Sequence, residues 1–262
     1  MSDTSIHATA IVAEGASLGP GCEIGPYCIV GPQVQLGEGV RLRSHVVIDG
    51  DTRIGAQTEI FPFASIGGAP QDLKFNGEQS RLVIGARNTI RESCTMNPGT
   101  QGGGLETVIG DDNLFMVNVH VAHDCRIGNG CVLVNNVSLA GHVQVEDRAI
   151  IGGHSGVHQF VRIGEGAMVG MLSAVAADVI PYGTVTGDHA ALSGLNLVGL
   201  KRRGTDKAEI NELRATFKTL FGGEGTLRDR ARRIEASENP LVAKVAAFIL
   251  SDSDRSFCRP DG

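Results

Sequence analysis

The sequence is poor in aromatic residues and has no long apolar run. Its 262 residues include no Trp, and Phe, Tyr and Trp together make up 4%. This scarcity argues against a globular core built around large aromatic side chains. No apolar run approaches the roughly 20 residues of a membrane-spanning helix, so no membrane span is predicted. The opening segment MSDTSIHATA lacks the basic and apolar regions of a signal peptide, and we expect a cytoplasmic protein.

The sequence also lacks the excess of positive charge that is typical of nucleic-acid-binding proteins. Its formal net charge is −6 at pH 7, so no nucleic-acid partner is predicted. The charge is unevenly distributed: residues 1–200 contain 10 Lys and Arg against 19 Asp and Glu, whereas residues 201–233 contain 10 against 5. A short basic segment on an acidic protein indicates attraction of a phosphate group or an acidic partner.

A repeat of six residues runs through most of the chain. An apolar residue recurs at every sixth position from Ile6 to Ile66 and again from Ile109 to Val175, and a small or β-branched residue often follows four positions later. This period fits neither an α-helix nor a hairpin meander. It predicts short parallel strands joined by tight corners, with the apolar residue pointing inward and Gly or Asn supplying the backbone angles at the bends.

Three hexads would complete one triangular coil, so residues 18 apart should stack at about 4.8 Å. The repeat resembles that of the hexapeptide-repeat acyltransferases, and this resemblance implies a left-handed coil. We therefore expect a mainly β fold, with a left-handed parallel β-helix over residues 1–190 and a small C-terminal α-helical domain over residues 191–262. Helical spacing predicts helices over residues 206–220 and 226–236 and a third from Pro240 through Ile249.

The six cysteines show neither metal-ligand spacing nor a disulfide pattern. The sixth, Cys258, lies in the tail, and the other five occupy the small-residue position of the repeat. We interpret those five as compact core residues. They are Cys22, Cys28, Cys94, Cys125 and Cys131.

Two loop excursions interrupt the repeat, near residues 67–83 and 97–108. Loops of this length inside a compact repeat are usually functional or mobile. In the first excursion Asp72 and Lys74 flank the apolar Leu73, and we expect this loop to contribute to a functional site.

Histidines concentrate in one stretch of the repeat. His123, His142 and His158 lie in hexads whose first residues are 18 apart, so we expect their rings on neighbouring coils and on the same side. His120 closes the preceding hexad. Asp124 follows His123 directly, and a carboxylate beside an imidazole can orient it as a general base near neutral pH.

A second feature of this stretch suggests how a transferred group is activated. Gly141, beside His142, allows close approach of a substrate to a backbone N–H, which makes it a candidate oxyanion donor. No serine in a nucleophile-elbow motif occurs. We therefore favour direct attack of a substrate hydroxyl on a thioester over a covalent enzyme intermediate.

Eight segments occurring in order make the resemblance more specific: IGPYCIVGP, SHVVIDG, FASIGGAPQDLKF, QGGGL, VHVAHDC, NNVSLAGHV, VHQF and GLKRRG. Together they resemble the UDP-N-acetylglucosamine 3-O-acyltransferases. The resemblance implies transfer of a (R)-3-hydroxyacyl group from acyl carrier protein to the 3-hydroxyl of UDP-N-acetylglucosamine, the first step of lipid A synthesis. It also implies a homotrimer with active sites between neighbouring subunits. No bound cofactor or metal is expected, since the acyl donor is carried on the phosphopantetheine of acyl carrier protein.

The resemblance also assigns roles to residues. It implies that His123 is the general base, Asp124 its orienting partner and Gly141 the oxyanion N–H donor. Asp72 and Lys74 would contact the sugar and phosphate. The full set of implied substrate contacts is Gln71, Asp72, Lys74, His120, His142, His158, Gln159, Met171, His189, Asn196, Arg202 and Arg203, of which Asn196 and the two arginines would hold the nucleotide.

The chain departs from the family pattern at two positions. Val198 stands where well-known members carry an acidic residue that contacts the uridine ribose. Met171 stands where long-chain members carry Gly at the floor of the acyl groove. A side chain of that size should shorten the groove, so we predict an acyl group in the decanoyl to dodecanoyl range; the alternative is that Met171 bends aside.

Three other functions are considered. The related N-acyltransferase normally carries an additional N-terminal uridine-binding domain, whereas the repeat here begins at Ile6. A metal-dependent hydratase on the same coil would bind zinc through its histidines, but would leave Asp124 and the basic segment without a role. If the protein were an inert scaffold, the His123→Ala substitution would cause no loss in an acyl-transfer assay. Whether the acceptor group is a 3-hydroxyl or a 3-amino group stays open from the sequence.

Overall fold

The computed structural model describes residues 3–260, most of which form a three-sided coil of short parallel strands. The strands of the coil are, in chain order, β1 Ser5–Ile6, β2 Ile11–Val12, β3 Ser17–Leu18, β4 Glu23–Ile24, β5 Ile29–Val30, β6 Gln35–Leu36, β7 Arg41–Leu42, β8 Val47–Ile48, β9 Asp51–Ile54, β10 Glu59–Ile60, β11 Ser65–Ile66, β12 Arg81–Ile84, β13 Thr89–Ile90, β14 Thr95–Met96, β15 Glu106–Ile109, β16 Leu114–Phe115, β17 His120–Val121, β18 Arg126–Ile127, β19 Val132–Leu133, β20 Ser138–Leu139, β21 Gln144–Val145, β22 Ile150–Ile151, β23 Gly156–Val157, β24 Arg162–Ile163, β25 Met168–Val169 and β26 Ala174–Val175. This architecture is the predicted parallel β-helix.

Every third strand joins the same wall of the coil. Sheet 1 begins β1, β4, β7; sheet 2 begins β2, β5, β8; and sheet 3 contains β3, β6 and β9 at one end. Most pairings join residues 18 apart, as in Ile6 with Ile24. The spacing widens to 25 where Ile90 pairs with Phe115, because a loop is inserted between those coils.

The apolar residue of each hexad points into the coil, as predicted. Ile48, Ile90 and Leu133 are completely buried. The five cysteines at the small-residue position have no exposed surface, Cys258 is 7% exposed, and all six are free thiols. A thiol is compact and weakly polar, so it fills the space near a corner without requiring a strong partner.

The corners use a wider set of residues than the sequence analysis predicted. Gly and Asn do occur with positive φ, but so do His45, Asp124 and His142, whose φ values are 58°, 60° and 64°. The left-handed backbone costs a non-glycine residue roughly 1 kcal/mol. The stacked strands on either side impose that conformation, so the corner position is open to functional side chains.

Two loops leave the coil between sheet 2 and sheet 3. Residues 67–80 connect β11 to β12, and residues 97–105 connect β14 to β15 through a 3-10 turn at Gln101–Gly103. Both loops therefore emerge at one corner, which we call the 2–3 corner. The corner between sheets 1 and 2 is called the 1–2 corner.

The C-terminal part ends the coil and adds helices. Strand β27, Gly183–Thr186, continues sheet 1 in parallel, and β28, Ala191–Leu195, pairs with it in antiparallel sense. The helices are α1 Leu197–Arg202, α2 Lys207–Gly222, α3 Leu227–Arg232 and α4 Pro240–Leu250. The three predicted helices are present, although the second ends earlier than expected, and α1 was not predicted.

Side-chain caps define where the three predicted helices begin. Asp206 accepts from Ala208 N at the start of α2, and Thr226 forms a capping box with Asp229 at the start of α3. Asn239 caps α4. Such caps satisfy the free N–H groups of the first helical turn.

The predicted boundary between residues 190 and 191 falls at the start of β28, and the outermost residues of both predicted domains, 1–2 and 261–262, lie outside the described residues. Arg162 and Asp178 form a buried ion pair at 2.8 Å in the last coil, and Ser253, in the segment after α4, donates to the same carboxylate and so ties that segment to the coil. Over residues 3–260, none of the helices has the length and apolar character needed to span a bilayer.

Candidate active site

His123 and Asp124 form a hydrogen-bonded pair at the 2–3 corner. His123 Nδ1 lies 2.7 Å from Asp124 Oδ2, and the two side chains are 14% and 1% exposed. They follow strand β17, whose end places them at the corner. A carboxylate can only accept hydrogen bonds, so the ring carries its proton at Nδ1 and leaves the Nε2 lone pair free.

The carboxylate of Asp124 has two further partners, both on one residue. Thr100 N donates to Oδ1 at 2.9 Å, and Thr100 Oγ1 donates to Oδ2 at 2.6 Å. The backbone N–H of Asp124 donates to Thr107 Oγ1 at 2.8 Å. The carboxylate is therefore held in one orientation, with Oδ2 directed at His123.

A stack of three aromatic rings occupies the 2–3 corner on successive coils. The ring centroids of His123 and His142 are 5.1 Å apart in an edge-on arrangement, and those of His142 and Phe160 are 4.4 Å apart in a parallel stack. His158 lies on the next coil and at the same corner, but its ring is not the third member of the stack. Phe160, 18 residues after His142, occupies that position because the corner repeats every 18 residues.

Two histidines in this region are held in the neutral form. The pKa of His142 is lowered by burial, which outweighs the attraction of Asp124. The pKa of His120 is also lowered by burial, with a smaller contribution from His123, and its Nδ1 lies 2.7 Å from Thr95 Oγ1. Both rings are suited to hydrogen bonding with a neutral group rather than to binding an anion.

His158 lies on the next coil, just before the corner residue Gln159. Its Nδ1 is 2.9 Å from Arg255 Nη2. Nδ1 also lies 3.3 Å from the carbonyl of Gln159, but the contact with Arg255 is shorter. A guanidinium group only donates, so Nδ1 accepts from Arg255, and the neutral ring carries its proton at Nε2. A residue of the C-terminal segment therefore determines which hydrogen-bonding group His158 presents.

Gly141 passes close to the base. A Cβ at this position would lie 2.5 Å from His123 Cε1 and 2.6 Å from Nε2, so any side chain here would force the imidazole to move. Its carbonyl accepts from Phe160 N. Among residues 3–260, no protein acceptor pairs with the N–H of Gly141, so this group is free to donate to a ligand beside the imidazole.

The loop of residues 67–80 lies beside this corner. Asp72 and Lys74 are both near enough to His142 to influence its pKa, and Lys74 N donates to Asp72 Oδ1 at 3.0 Å. Gln71 is exposed, and Leu73 at the tip is fully exposed. The loop thus brings one acidic, one basic and one amide side chain to the 2–3 corner.

A second group of predicted site residues lies on another side of the chain. Arg202, Arg203 and Val198 line a cavity of about 590 Å³ against sheet 1. Asn196 lines it too, but its amide is already engaged, since Oδ1 accepts from Gly199 N and Nδ2 donates to Gly166 O. His189 is exposed in the turn between β27 and β28.

Met171 also belongs to this other side. It lies at the 1–2 corner after strand β25, and it is 68% exposed. One chain therefore brings nine predicted residues near His123 at the 2–3 corner and leaves five elsewhere. Those near His123 are Asp124, Gly141, Gln71, Asp72, Lys74, His120, His142, His158 and Gln159, with Asp124 and His123 as the central pair. Those elsewhere are Met171, His189, Asn196, Arg202 and Arg203.

Three residues that the sequence analysis did not identify contact the site: Thr100, Phe160 and Arg255. Phe160 could have been found from its spacing of 18 residues from His142. Thr100 directly precedes the Gln-Gly-Gly-Gly segment, which marked the loop but not the contact. Arg255 is 97 residues from His158, and no local pattern connects the two.

Three atoms of this corner could in principle hold a metal ion. Donor atoms of His123, Asp124 and His142 all lie within 4.8 Å of one another. However, Asp124 Oδ2 already accepts hydrogen bonds from Thr100 and His123. Ligation of zinc by that oxygen would compete with both, so the donor set fits a base and its orienting carboxylate better than a zinc site.

Comparison with known proteins finds matches to transferase families over both parts of the chain. A model described as bacterial transferase hexapeptide (six repeats) matches residues 15–50 and 106–141. A second, described as UDP-N-acetylglucosamine O-acyltransferase, domain 2, matches residues 178–258. The coil and the helical part thus match two models that describe transferases.

Three relatives illustrate the similarity. An acyl-[acyl-carrier-protein]–UDP-N-acetylglucosamine O-acyltransferase of Paracoccus denitrificans is 61% identical over 202 residues, or 77% of each chain. The protein of that name from Rhizobium johnstonii is 50% identical over 257 residues, covering 97% of this chain and 94% of the relative. A crystal structure of a UDP-N-acetylglucosamine acyltransferase shares 45% identity and a TM-score of 0.95, covering 99% of this chain and 100% of that one.

The chain belongs to the acyl-[acyl-carrier-protein]–UDP-N-acetylglucosamine O-acyltransferase family. The family resemblance inferred from the eight segments is confirmed, as are the left-handed parallel β-helix and the assignment as an O-acyltransferase.

Proposed function

We propose that this protein transfers a (R)-3-hydroxyacyl group from acyl carrier protein to the 3-hydroxyl of UDP-N-acetylglucosamine, the first step of lipid A biosynthesis. The observation that carries the mechanism is the His123–Asp124 pair, in which a buried carboxylate fixes Nδ1–H and leaves Nε2 free. A neutral imidazole with a free Nε2 is the usual form of a general base at neutral pH.

The chemical step follows from this arrangement. Nε2 of His123 takes the proton of the sugar 3-hydroxyl as its oxygen attacks the thioester carbonyl carbon. The tetrahedral oxyanion accepts a hydrogen bond from Gly141 N–H, and Asp124 stabilises the imidazolium. The C–S bond then breaks, the sulfur of the phosphopantetheine takes the proton from His123, and the ester remains on the sugar. No covalent intermediate with the enzyme forms.

The residues around this corner are proposed to hold the acceptor sugar. His120 and His142, whose pKa values are lowered by burial, would hydrogen-bond to its neutral groups. Asp72 and Lys74 would contact the sugar and phosphate from the loop. Three further residues complete this proposed set: Gln71, His158 and Gln159.

The residues on the other side of the chain are proposed to hold the nucleotide and the acyl chain. Arg202 and Arg203 would bind phosphate oxygens, and His189 would add a contact from its turn. Asn196 would act by fixing the start of α1, since its amide spans Gly166 and Gly199.

A single active site containing both groups of residues requires two subunits, because one chain separates them. This separation supports the proposed homotrimer, with each site formed between neighbouring coils. An exposed apolar row on sheet 2, formed by Ile11, Ile29 and Val47 at 63%, 45% and 37% exposure, offers surface for such contacts. Light scattering after size-exclusion chromatography should give three times the chain mass of 27.4 kDa.

We propose no metal or other bound cofactor for the reaction, and a cytoplasmic location, where the acyl donor would be made. Activity should survive dialysis against EDTA. About one tightly bound zinc per subunit, with activity that depends on it, would favour the hydratase instead.

The decisive experiment is mass spectrometry of the product made from UDP-N-acetylglucosamine and a mixture of (R)-3-hydroxyacyl carrier proteins of several chain lengths. We expect a single 3-O-ester with a decanoyl to dodecanoyl chain. Acylation only of a 3-amino acceptor, supplied in a parallel reaction, would identify an N-linked product instead. No transfer to either acceptor by the folded trimer would contradict the proposed function.

A further inference from the structure

The loop of residues 97–105 covers the carboxylate of Asp124, and none of its residues takes part in the proposed chemical step. We infer that Thr100 is a positioning residue for the His123–Asp124 pair, which it holds in the orientation that keeps His123 a base. This inference rests on the proposed function of His123.

Thr100 holds both oxygens of one carboxylate. Its N–H donates to Oδ1 at 2.9 Å and its hydroxyl donates to Oδ2 at 2.6 Å. Thr100 is 3% exposed and Asp124 is 6% exposed, so water does not compete for these oxygens. Two hydrogen bonds from one residue to the two oxygens prevent the carboxylate from rotating about its Cβ–Cγ bond.

One glycine of this loop, Gly103, is explained by the same contact. A Cβ at Gly103 would lie 2.0 Å from Asp124 Cγ, so only glycine allows the loop to close over the carboxylate. The N–H groups of Gly103 and Leu105 both donate to the carbonyl of Thr100, at 3.1 and 2.9 Å. The Gln-Gly-Gly-Gly segment thus fixes Thr100, and Thr100 fixes Asp124.

The orientation matters because Asp124 has two imidazole neighbours. Its Oδ2 lies 2.7 Å from His123 Nδ1 but also 3.9 Å from His142 Nε2. Loss of the Thr100 hydroxyl would free Oδ2 to move toward His142. His123 could then adopt the other tautomer, in which Nε2 carries a proton and cannot accept one from the substrate.

The test compares Thr100→Val, Thr100→Ser and wild type. Valine keeps the shape and the backbone N–H but removes the hydroxyl, and we expect kcat to fall about 10- to 100-fold while KM changes little. Serine restores the donor and should recover most of kcat. The matched control is Thr58→Val: Thr58 is fully buried and donates to Gly85 O far from the 2–3 corner, so kcat should stay within about twofold of wild type.

A spectroscopic measurement reports the pair directly. The Nδ1–H proton of His123, identified by its absence in His123→Ala, should resonate far downfield in wild type and Thr100→Ser and shift upfield or broaden in Thr100→Val. The Thr58→Val variant should keep the wild-type resonance. Should Thr100→Val not fold, Thr100→Ala is measured in the same way.

Two results would overturn the inference: an unchanged kcat in Thr100→Val, or a loss that serine does not restore and that leaves the resonance in place. Failure of the proposed function has a different signature. In that case wild type would transfer no acyl group, or His123→Ala would remain active, whatever the behaviour of Thr100.

Discussion

His45 and His142 each lie in a stack of aromatic rings, at two different corners of the β-helix. Only the stack that contains His142 is suited to catalysis. At the 1–2 corner, His45 lies between Tyr27 and Phe63, with centroid distances of 4.9 and 5.2 Å. At the 2–3 corner, His142 lies between His123 and Phe160 at comparable distances. Both central histidines have left-handed backbones.

The difference lies in what surrounds each stack. His45 and its neighbours are exposed. At the 2–3 corner two inserted loops emerge, a buried carboxylate accompanies one ring, and burial lowers the pKa of His142. The repeat by itself produces stacks of aromatic rings at its corners. At the 2–3 corner, the inserted loops and a buried carboxylate make the stack suitable for general-base catalysis.

The largest effect should separate the two stacks directly. We expect His123→Ala to lower kcat by about 10²- to 10⁴-fold, because the general base is lost. His45→Ala is the matched control and should keep wild-type kcat. Steady-state assays with (R)-3-hydroxyacyl carrier protein measure both. Equal losses would mean that the two corners do not differ in function.

Gly141→Ala tests how closely the backbone approaches the base. The new Cβ would lie 2.5 Å from His123 Cε1, so the ring must move, and we expect kcat to fall about 10²-fold. Gly222→Ala serves as control, since a Cβ there meets nothing within 4 Å. A crystal structure of Gly141→Ala with an unmoved His123 and full activity would refute this prediction.

Met171→Gly tests whether Met171, at the 1–2 corner, limits the length of the acyl groove. Two additional methylenes bound in the enlarged groove should favour longer chains about tenfold in kcat/KM. The control is Leu172→Gly, an exposed residue at the same corner. Competition between acyl carrier proteins of different chain lengths gives the ratio, and an unchanged preference would remove Met171 from the specificity determinants.

Arg255→Met tests the contribution of the C-terminal segment to the 2–3 corner. Loss of the donor at His158 Nδ1 should allow the ring to change tautomer and raise KM for the sugar nucleotide about fivefold, with kcat less affected. Arg259→Met removes a neighbouring exposed charge as control. Nitrogen-15 shifts of His158 that are the same in wild type and Arg255→Met would contradict this account.

The smallest effect concerns pH and stability. Burial lowers the pKa of His120 below its ordinary value of 6.5, so in acid the unfolded chain binds a proton that the folded chain does not. Stability contributed by this group is therefore constant above about pH 6.5 and falls as the pH drops toward the folded-state pKa. His120→Gln should lose less stability than wild type between pH 7.5 and 5.5 in urea unfolding. Parallel losses would show that His120 is not the group responsible.

The sequence predicted the coil and the central pair for local reasons. A six-residue period repeats the same inward position, so the strands, the buried thiols and the 18-residue stacking follow from short-range pattern. His123 and Asp124 are adjacent in the chain, and a corner between two strands leaves them few arrangements. Helix α1 was missed because it has only six residues.

Other contacts could not be predicted because they join distant segments. Thr100 meets Asp124 across an inserted loop whose path depends on the space above the corner, and Arg255 meets His158 only after the C-terminal segment docks on the last coil. The stacking of Phe160, rather than His158, on His142 follows from the exact register at the corner. A predicted site can therefore contain the right residues and still lack those that orient them.

The sequence by itself determined which residues recur on each wall of the coil, because a chain that repeats every six residues must return to the same wall every third hexad. Only the tertiary structure decided that one corner is buried under loops while another stays open, and that the predicted substrate residues fall into two separate groups. The physical reason is that burial and hydrogen bonding depend on packing between segments far apart in the chain, which no repeat encodes.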